Sequence, residues 1–287
     1  MTISNGSKVY FWHPASWLRV KGPDAFSLLQ GQFTNDLRVL ETSPSVYRLW
    51  LNQKGRVLAD SFVLRGDMAD EFWVGSYFCP AEVVRGRLED YIIADDVAVT
   101  DETGDWSGLS LMEPDQIEKA RALGQGLIFP GRRGWGGQME WMTRSPPELA
   151  GATMLTTADM ERMRIRAALP AIPVDIGPGD LPNEGGLEDE AISSTKGCYL
   201  GQEIIARLRS MGQVRRRLIR VTGRGTPPIV PVKLYQDARP VGELRSCIAD
   251  GESFAGLALL TLLHWQRETP LSLAPDAAPT ILPDATS

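Results

Sequence analysis

Apolar and polar positions alternate most clearly between residues 46 and 77. Val46–Leu51 and Val57–Leu64 read as strands joined by the turn Asn52-Gln53-Lys54-Gly55, and Glu71–Tyr77 as a third strand after the turn Gly66–Asp70. This predicts an antiparallel meander. Upstream, Leu18-Arg19-Val20 is a short strand broken by Gly22-Pro23-Asp24. Ala25, Leu28 and Leu29 then recur at helical spacing, and Gln30 to Asp36 forms a polar loop. Pro80 suits the first position of a helix running to about Ile93, with Val83, Val84, Leu88, Tyr91 and Ile92 on its apolar face. Val97–Thr100 adds a short strand and Pro114–Leu123 a second helix. Gly131–Gly137, carrying Arg132, Arg133 and Trp135, reads as a glycine-rich loop.

In the second half, Thr156 or Thr157 caps a helix over Asp159–Leu169 that Pro170 ends. Ala171–Thr195 is a long irregular stretch, and segments beyond ~12–15 residues without regular structure usually carry function. A helix from about Leu200 to Ser210 follows. After Arg215-Arg216-Arg217 the pattern changes to short strands punctuated by Gly and Pro: Leu218–Thr222, Ile229–Tyr235, Val241–Cys247 and Phe254–Leu263. The division expected is a body over residues 1–212, a small β-barrel over 213–275 and a flexible tail over 276–287.

Composition narrows the function class. A formal charge of -6 opposes a general nucleic-acid coat, though not a local basic patch. The three cysteines, Cys79, Cys198 and Cys247, are widely spaced and form no Cys-x-x-Cys pair. Reduced thiols in a cytoplasmic protein are therefore expected rather than a disulfide framework. The only imidazoles, His13 and His264, stand at no ligand spacing from a cysteine, so no metal site is expected. No apolar run approaches the ~20 residues of a membrane span, and Met1–Lys8 has no leader-like pattern, so no membrane association is expected.

The chemistry concentrates in Lys196-Gly197-Cys198-Tyr199-Leu200-Gly201-Gln202-Glu203. A helix starting near Tyr199 or Leu200 would put Cys198 at its positive end, and Lys196 would add a cation; both favour a thiolate. Gly197 and Gly201 permit close backbone approach, and Glu203 suits a first helical turn. A nucleophile, a soft-metal ligand and a redox-sensitive contact are all open, as is a small buried cysteine beneath a helix start. Arg207, Arg209, Arg215, Arg216, Arg217 and Arg220 follow as a basic cluster able to grip an oligoglutamate, a phosphate or RNA, or to serve as a solvated face.

These eight residues resemble the signature of the YgfZ-type folate-binding proteins, relatives of the glycine-cleavage T protein. Residues 22–36, ending Leu29-Gln30-Gly31-Gln32-Phe33-Thr34-Asn35-Asp36, resemble the family's N-terminal block. Residues 52–60 resemble its hairpin, and Val241-Gly242-Glu243-Leu244-Arg245-Ser246 its C-terminal barrel. The resemblance implies an α+β body of the aminomethyltransferase type with a small C-terminal β-barrel. It also implies a tetrahydrofolate ligand and support of iron–sulfur proteins or their assembly machinery, including enzymes that modify tRNA. Carried over, Cys198 is the functional thiol with Lys196 beside it. Asp60, Gly197, Tyr199, Gly201, Gln202, Glu203, Arg207 and Trp50 are the candidate folate-binding residues.

Two departures bear on activity. The T protein has paired aspartates after its hairpin turn, whereas this chain has Ala59-Asp60, which favours an accessory protein over an aminomethyltransferase. Arg166 stands where relatives carry a glutamate contacting the pterin. Arginine offers only donors, so Glu184, Glu188 or Glu190 would have to supply the acceptor. The other readings are a one-carbon transferase and a tRNA-binding or interaction module without folate.

Overall fold

The computed structural model describes residues 7–134, 136–148, 151–212, 214–263, 265–267 and 269–284, so Trp135 and His264 lie outside the described residues. In chain order the elements are β1 (Lys8–Trp12), β2 (Ser16–Lys21), α1 (Ala25–Gln32), β3 (Val46–Leu51), β4 (Val57–Arg65), β5 (Glu71–Ser76), α2 (Ala81–Glu89) and β6 (Ala98–Asp101). Then come β7 (Ser107–Leu111), α3 (Pro114–Leu123), β8 (Leu127–Pro130), β9 (Met139–Thr143), β10 (Thr153–Met154), α4 (Thr157–Arg166), α5 (Glu188–Ala191) and α6 (Gln202–Met211). The last strands are β11 (Arg216–Arg224), β12 (Val232–Gln236), β13 (Arg239–Asp250), β14 (Ser253–Thr261) and β15 (Ile281–Pro283).

The predicted meander is the centre of a five-stranded sheet of order β3-β4-β5-β2-β6. Its register puts Tyr47, Leu49, Asp60 and Phe62 on one face and Arg48, Trp50, Ala59 and Ser61 on the other. Both faces are covered, and β3 is buried at every position. A second sheet, of order β10-β1-β7-β9-β8, was not foreseen. Its strands are short and bury polar side chains, Ser110, Glu140 and Thr143, so they lack the apolar alternation that marks a strand.

The C-terminal sheet, of order β12-β13-β14-β11-β15, is antiparallel throughout. Register shifts at Leu234/Tyr235 and Leu244/Ser246 bend it into an open half-barrel. One face carries its own apolar cluster around Val221, Leu234, Leu244 and Phe254. Leu218, Leu257 and Leu259 turn the other way and join the main core. Ile281–Pro283, in the run expected to be flexible, pairs with Val221–Gly223 and gives β11 a second neighbour.

Local rules account for the helix limits. Glu113 and Gln116 form a capping box at α3, Pro114 occupies its first turn, and Gly124 closes it at φ 62°. Thr156 and Asp159 cap α4 reciprocally at 3.1 and 2.9 Å. Pro170 restricts Leu169, which limits α4 to Arg166. The irregular stretch after it is ordered by ion pairs. Arg164 reaches Asp175 at 2.5 Å and Ser246 of β13 at 3.1 Å. Arg216 of β11 reaches Asp180 at 3.0 Å and Glu184 at 2.8 Å, and Arg245 reaches Asp180 at 3.2 Å. Buried charges thus join the long loop to the C-terminal sheet.

Arg164 and Asp175 are 5% and 0% exposed. Arg164→Met strands a buried carboxylate and is expected to cost roughly 3–5 kcal/mol in urea unfolding. A loss below about 1 kcal/mol would show that the pair does not hold the loop.

Candidate functional site

The signature segment is anchored at three points and open at one. Lys196 is 6% exposed, and its Nζ donates to the carbonyls of Gln30, at 2.6 Å, and Phe33. These carbonyls lie at the end of α1, where unpaired C=O groups favour a cation. Tyr199 is buried, with the Lys196 ammonium 5.1 Å from its ring centre. Gly201 adopts φ 83° as the N-cap of α6. A Cβ there would stand 2.6 Å from the carbonyl of Asn52 and 3.1 Å from Cα of Gly55. Only glycine lets α6 start against the β3–β4 turn. Between these anchors Cys198 is exposed.

This geometry corrects four expectations. α6 begins at Gln202, so Cys198 lies four residues before the helix rather than at its first turn. Lys196 is committed to the interior and is not the thiol's partner. Gly197 has open space where a Cβ would stand, so close approach does not require it. Glu203 is exposed in the first turn of α6, and Gln202 lines a cavity of about 370 Å³ with Tyr199 and Arg209. Trp50 is no pocket wall. It is fully buried, donates to Ser61 Oγ at 3.0 Å and packs on Phe33 at 4.4 Å.

Asp60 belongs to a different, interior cluster. Its carboxylate accepts from Tyr47 Oη at 2.9 Å, Ser76 Oγ at 2.6 Å and Cys79 Sγ at 3.3 Å. Burial pushes its pKa up, and these hydrogen bonds oppose the rise. Burial also pushes the Cys79 thiol up, and the Asp60 charge adds to that. Arg132 lies 4.6 Å over the Tyr47 ring and pairs with Glu190 at 2.8 Å. Beside it Glu140, fully buried, takes five donors: Trp12, Tyr77, Ser110, Arg133 and Gln138. Sequence reasoning noticed Arg132 and Arg133 only as loop residues and missed Tyr47, Cys79 and Glu140.

The folate implied by the resemblance can be tested against these groups. Asp60 is 3% exposed and both of its oxygens already accept. It therefore does not fit as the acceptor for a pterin edge. Arg166 is not in the interior either: its side chain is 60% exposed and pairs with Asp250 at 3.0 Å. Of the substitute acceptors, Glu184 is held by Arg216 and Glu190 by Arg132, whereas Glu188 Oε2 is buried without a partner. Within the basic cluster, Arg216 is neutralised by Asp180 and Glu184, which interrupts the run Arg215–Arg217. Arg207 is exposed and lines the cavity of about 680 Å³ between α6 and β11.

The GCVT N-terminal domain model matches residues 13–127. Over 275 residues the chain is 30% identical to the iron–sulfur cluster assembly factor IBA57, mitochondrial, of Homo sapiens, covering 85% of this chain and 74% of that protein. The Mus musculus protein of the same name is 28% identical over 274 residues, with the same coverage. The crystal structure of the glycine cleavage system aminomethyltransferase T from Bartonella henselae superposes with a TM-score of 0.73. That match covers 98% of this chain and 84% of the other at 14% identity, a likeness of fold.

Two measurements check the site. In the native protein iodoacetamide is expected to label Cys198 first and Cys79 only on unfolding, as read by peptide mass spectrometry; early labelling of Cys79 would refute this exposure pattern. Burial, reinforced by the nearby Arg48 charge, pushes Lys196 down from 10.5 to about 8. Between those values the unfolded chain keeps a proton that the folded protein has released, so this group adds stability as pH rises from about 8 to 10.5. Urea stability of the wild type should gain relative to Lys196→Met over that window, and equal pH dependence in the two proteins would refute it.

Proposed function

The chain belongs to the family of the iron–sulfur cluster assembly factor IBA57, and from that membership we propose that it is an accessory protein of iron–sulfur cluster assembly or repair whose functional thiol is Cys198. One observation carries the residue assignment: Cys198 is exposed between two buried anchors, Lys196 and Tyr199. A thiol held this way meets a partner without refolding. Thiolates are the usual protein ligands of iron–sulfur clusters, and a cluster takes several. Among the described residues no group of three or more His, Cys, Asp or Glu side chains is arranged to hold a metal ion. Cys198 therefore acts together with ligands of the assembly machinery or of the client.

An aminomethyltransferase activity is less well supported. Asp60 stands alone beside Ala59 and is enclosed by Tyr47, Ser76 and Cys79, which leaves no open base for proton transfer. Folate binding stays part of the proposal without a role for Asp60. Direct tRNA binding is disfavoured by the ion pairs of Arg216, so effects on tRNA modification would be indirect, through iron–sulfur enzymes. The relatives bear "mitochondrial" in their names. For this chain we propose the cytoplasm; its three free cysteines fit a reducing compartment. Among the described residues no helix is long and apolar enough to cross a membrane.

Cys198→Ser should leave urea stability within about 0.5 kcal/mol of wild type. In a deletion strain it should fail to restore iron–sulfur enzyme activities that the wild-type gene restores. Full restoration by Cys198→Ser would remove the thiol from the function.

A further inference from the structure

Two buried cations meet at Phe33. The ammonium of Lys196 donates to its carbonyl, and the guanidinium of Arg48 lies 4.5 Å over its ring. Arg48 is 0% exposed and lies on the face of β3 that carries Trp50, which is fully buried as well. Burial acts against both charges, and the Arg48 charge adds to the downward push on Lys196. Lysine can answer by releasing its proton. Arginine starts from a pKa above ~12 and keeps its charge at neutral pH.

The Arg48 charge is poorly met. Its Nε donates to the carbonyl of Val46 over a long 3.4 Å, and among the described residues Nη1 and Nη2 have no hydrogen-bond partner. Asp36 is the carboxylate whose charge acts on Arg48. It is already gripped by the Arg38 side chain at 2.6 Å, and its Oδ1 also accepts from Gln30 Nε2 at 3.0 Å. The Phe33 ring attracts the cation but offers no lone pair to either terminal nitrogen. A buried ion with donors unmet and no counter-charge of its own is costly, so a partner of opposite charge has much to gain there.

We propose that Nη1 and Nη2 of Arg48 bind one small monovalent anion, a halide, with an N–H of Lys196 as a further donor. The two terminal nitrogens of a guanidinium form a fork, so one acceptor in its plane meets both. Lys196 spends two of its three N–H donors on the carbonyls of Gln30 and Phe33 and has one left. A single negative charge beside these two cations offsets both. The setting limits its size. A phosphate or sulfate brings four oxygens and a double charge, more than three donors in a closed interior satisfy, whereas chloride needs neither. With no exposed surface on Arg48, the ion enters on folding or local opening. It ties β3 to the segment that carries Cys198, so the firmness of that loop depends on halide. Asp60 lies on the opposite face of the sheet, and the site stands whether or not Cys198 is the functional thiol.

Urea unfolding of the full chain tests this, with potassium chloride exchanged for potassium gluconate at constant ionic strength. Above half-saturation, each tenfold rise in chloride should lower the unfolding equilibrium constant of the wild type about tenfold. Arg48→Met should show no chloride dependence. In gluconate alone it should be at least as stable as the wild type, because it no longer buries an unpaired cation. If the wild type does not respond to chloride, water alone meets the guanidinium and the inference fails. An equal response in wild type and Arg48→Met would reveal a general salt effect and overturn it. If Arg48→Met does not fold, crystals of the wild type grown in potassium bromide decide. An anomalous peak against the Arg48 guanidinium supports the site, and bromide found only at the surface refutes it.

Discussion

The placement of the signature segment depends on one buried ammonium. Where α1 ends, the carbonyls of Gln30 and Phe33 have no helical partner, and Lys196 Nζ, arriving from 163 residues further along, takes both. The attachment pulls the backbone inward at Lys196. Tyr199 is buried three residues later, and Gly201 seats α6 on the β3–β4 turn. Cys198 has nowhere to point but outward. The motif's lysine thus sets the position of its cysteine while its ammonium is held by α1 carbonyls. A substitution at Lys196 would release the loop and change the thiol's position.

The interior behind this loop holds its carboxylates in internal hydrogen bonds. Asp60 keeps the carboxylate, but its oxygens are spent on Tyr47, Ser76 and Cys79. The Arg132–Glu190 pair lies alongside, and Glu140 is saturated by five donors. A site that is to accept substrate donors needs acceptors left over, and here they are used internally. Among the described residues, buried oxygens left without a partner are those of Ser16, Gln32, Asn183 and Glu188.

Much of this was legible in the residue pattern. The meander over residues 46–76 reads directly because its turns are local and its strands continuous. The helix caps at Glu113 and Thr156 follow from adjacent residues. The sheet built from β1, β7, β9, β8 and β10 was invisible, since β1 pairs with strands about 100 and 145 positions away and its buried Ser110 and Glu140 read as solvent-facing. The segment around Cys198 was found, but its electrostatics were misjudged. Nearness in sequence suggested a Lys196–Cys198 pair, whereas the lysine's partners are set by tertiary structure. Glu188 was named as a substitute acceptor, yet nothing in the sequence separated it from Glu184 and Glu190; only their arginine partners do.

Arg48 shows what the anchor costs. It is fully buried on the face of β3 that carries Trp50, with its guanidinium 4.5 Å over the Phe33 ring and both terminal nitrogens unpaired. Burial drives its pKa well down, and the charge of Asp36 only partly opposes that. Asp36 is itself bound by Arg38 at 2.6 Å, which holds that carboxyl far below its usual range. Two cations, Arg48 and Lys196, therefore share an interior whose one nearby carboxylate is already engaged. Burial is the main cause of the downward push on Lys196, and the Arg48 charge adds to it. A core selected for stability alone would hold an apolar residue at Arg48. Stacking on Phe33 recovers part of the loss.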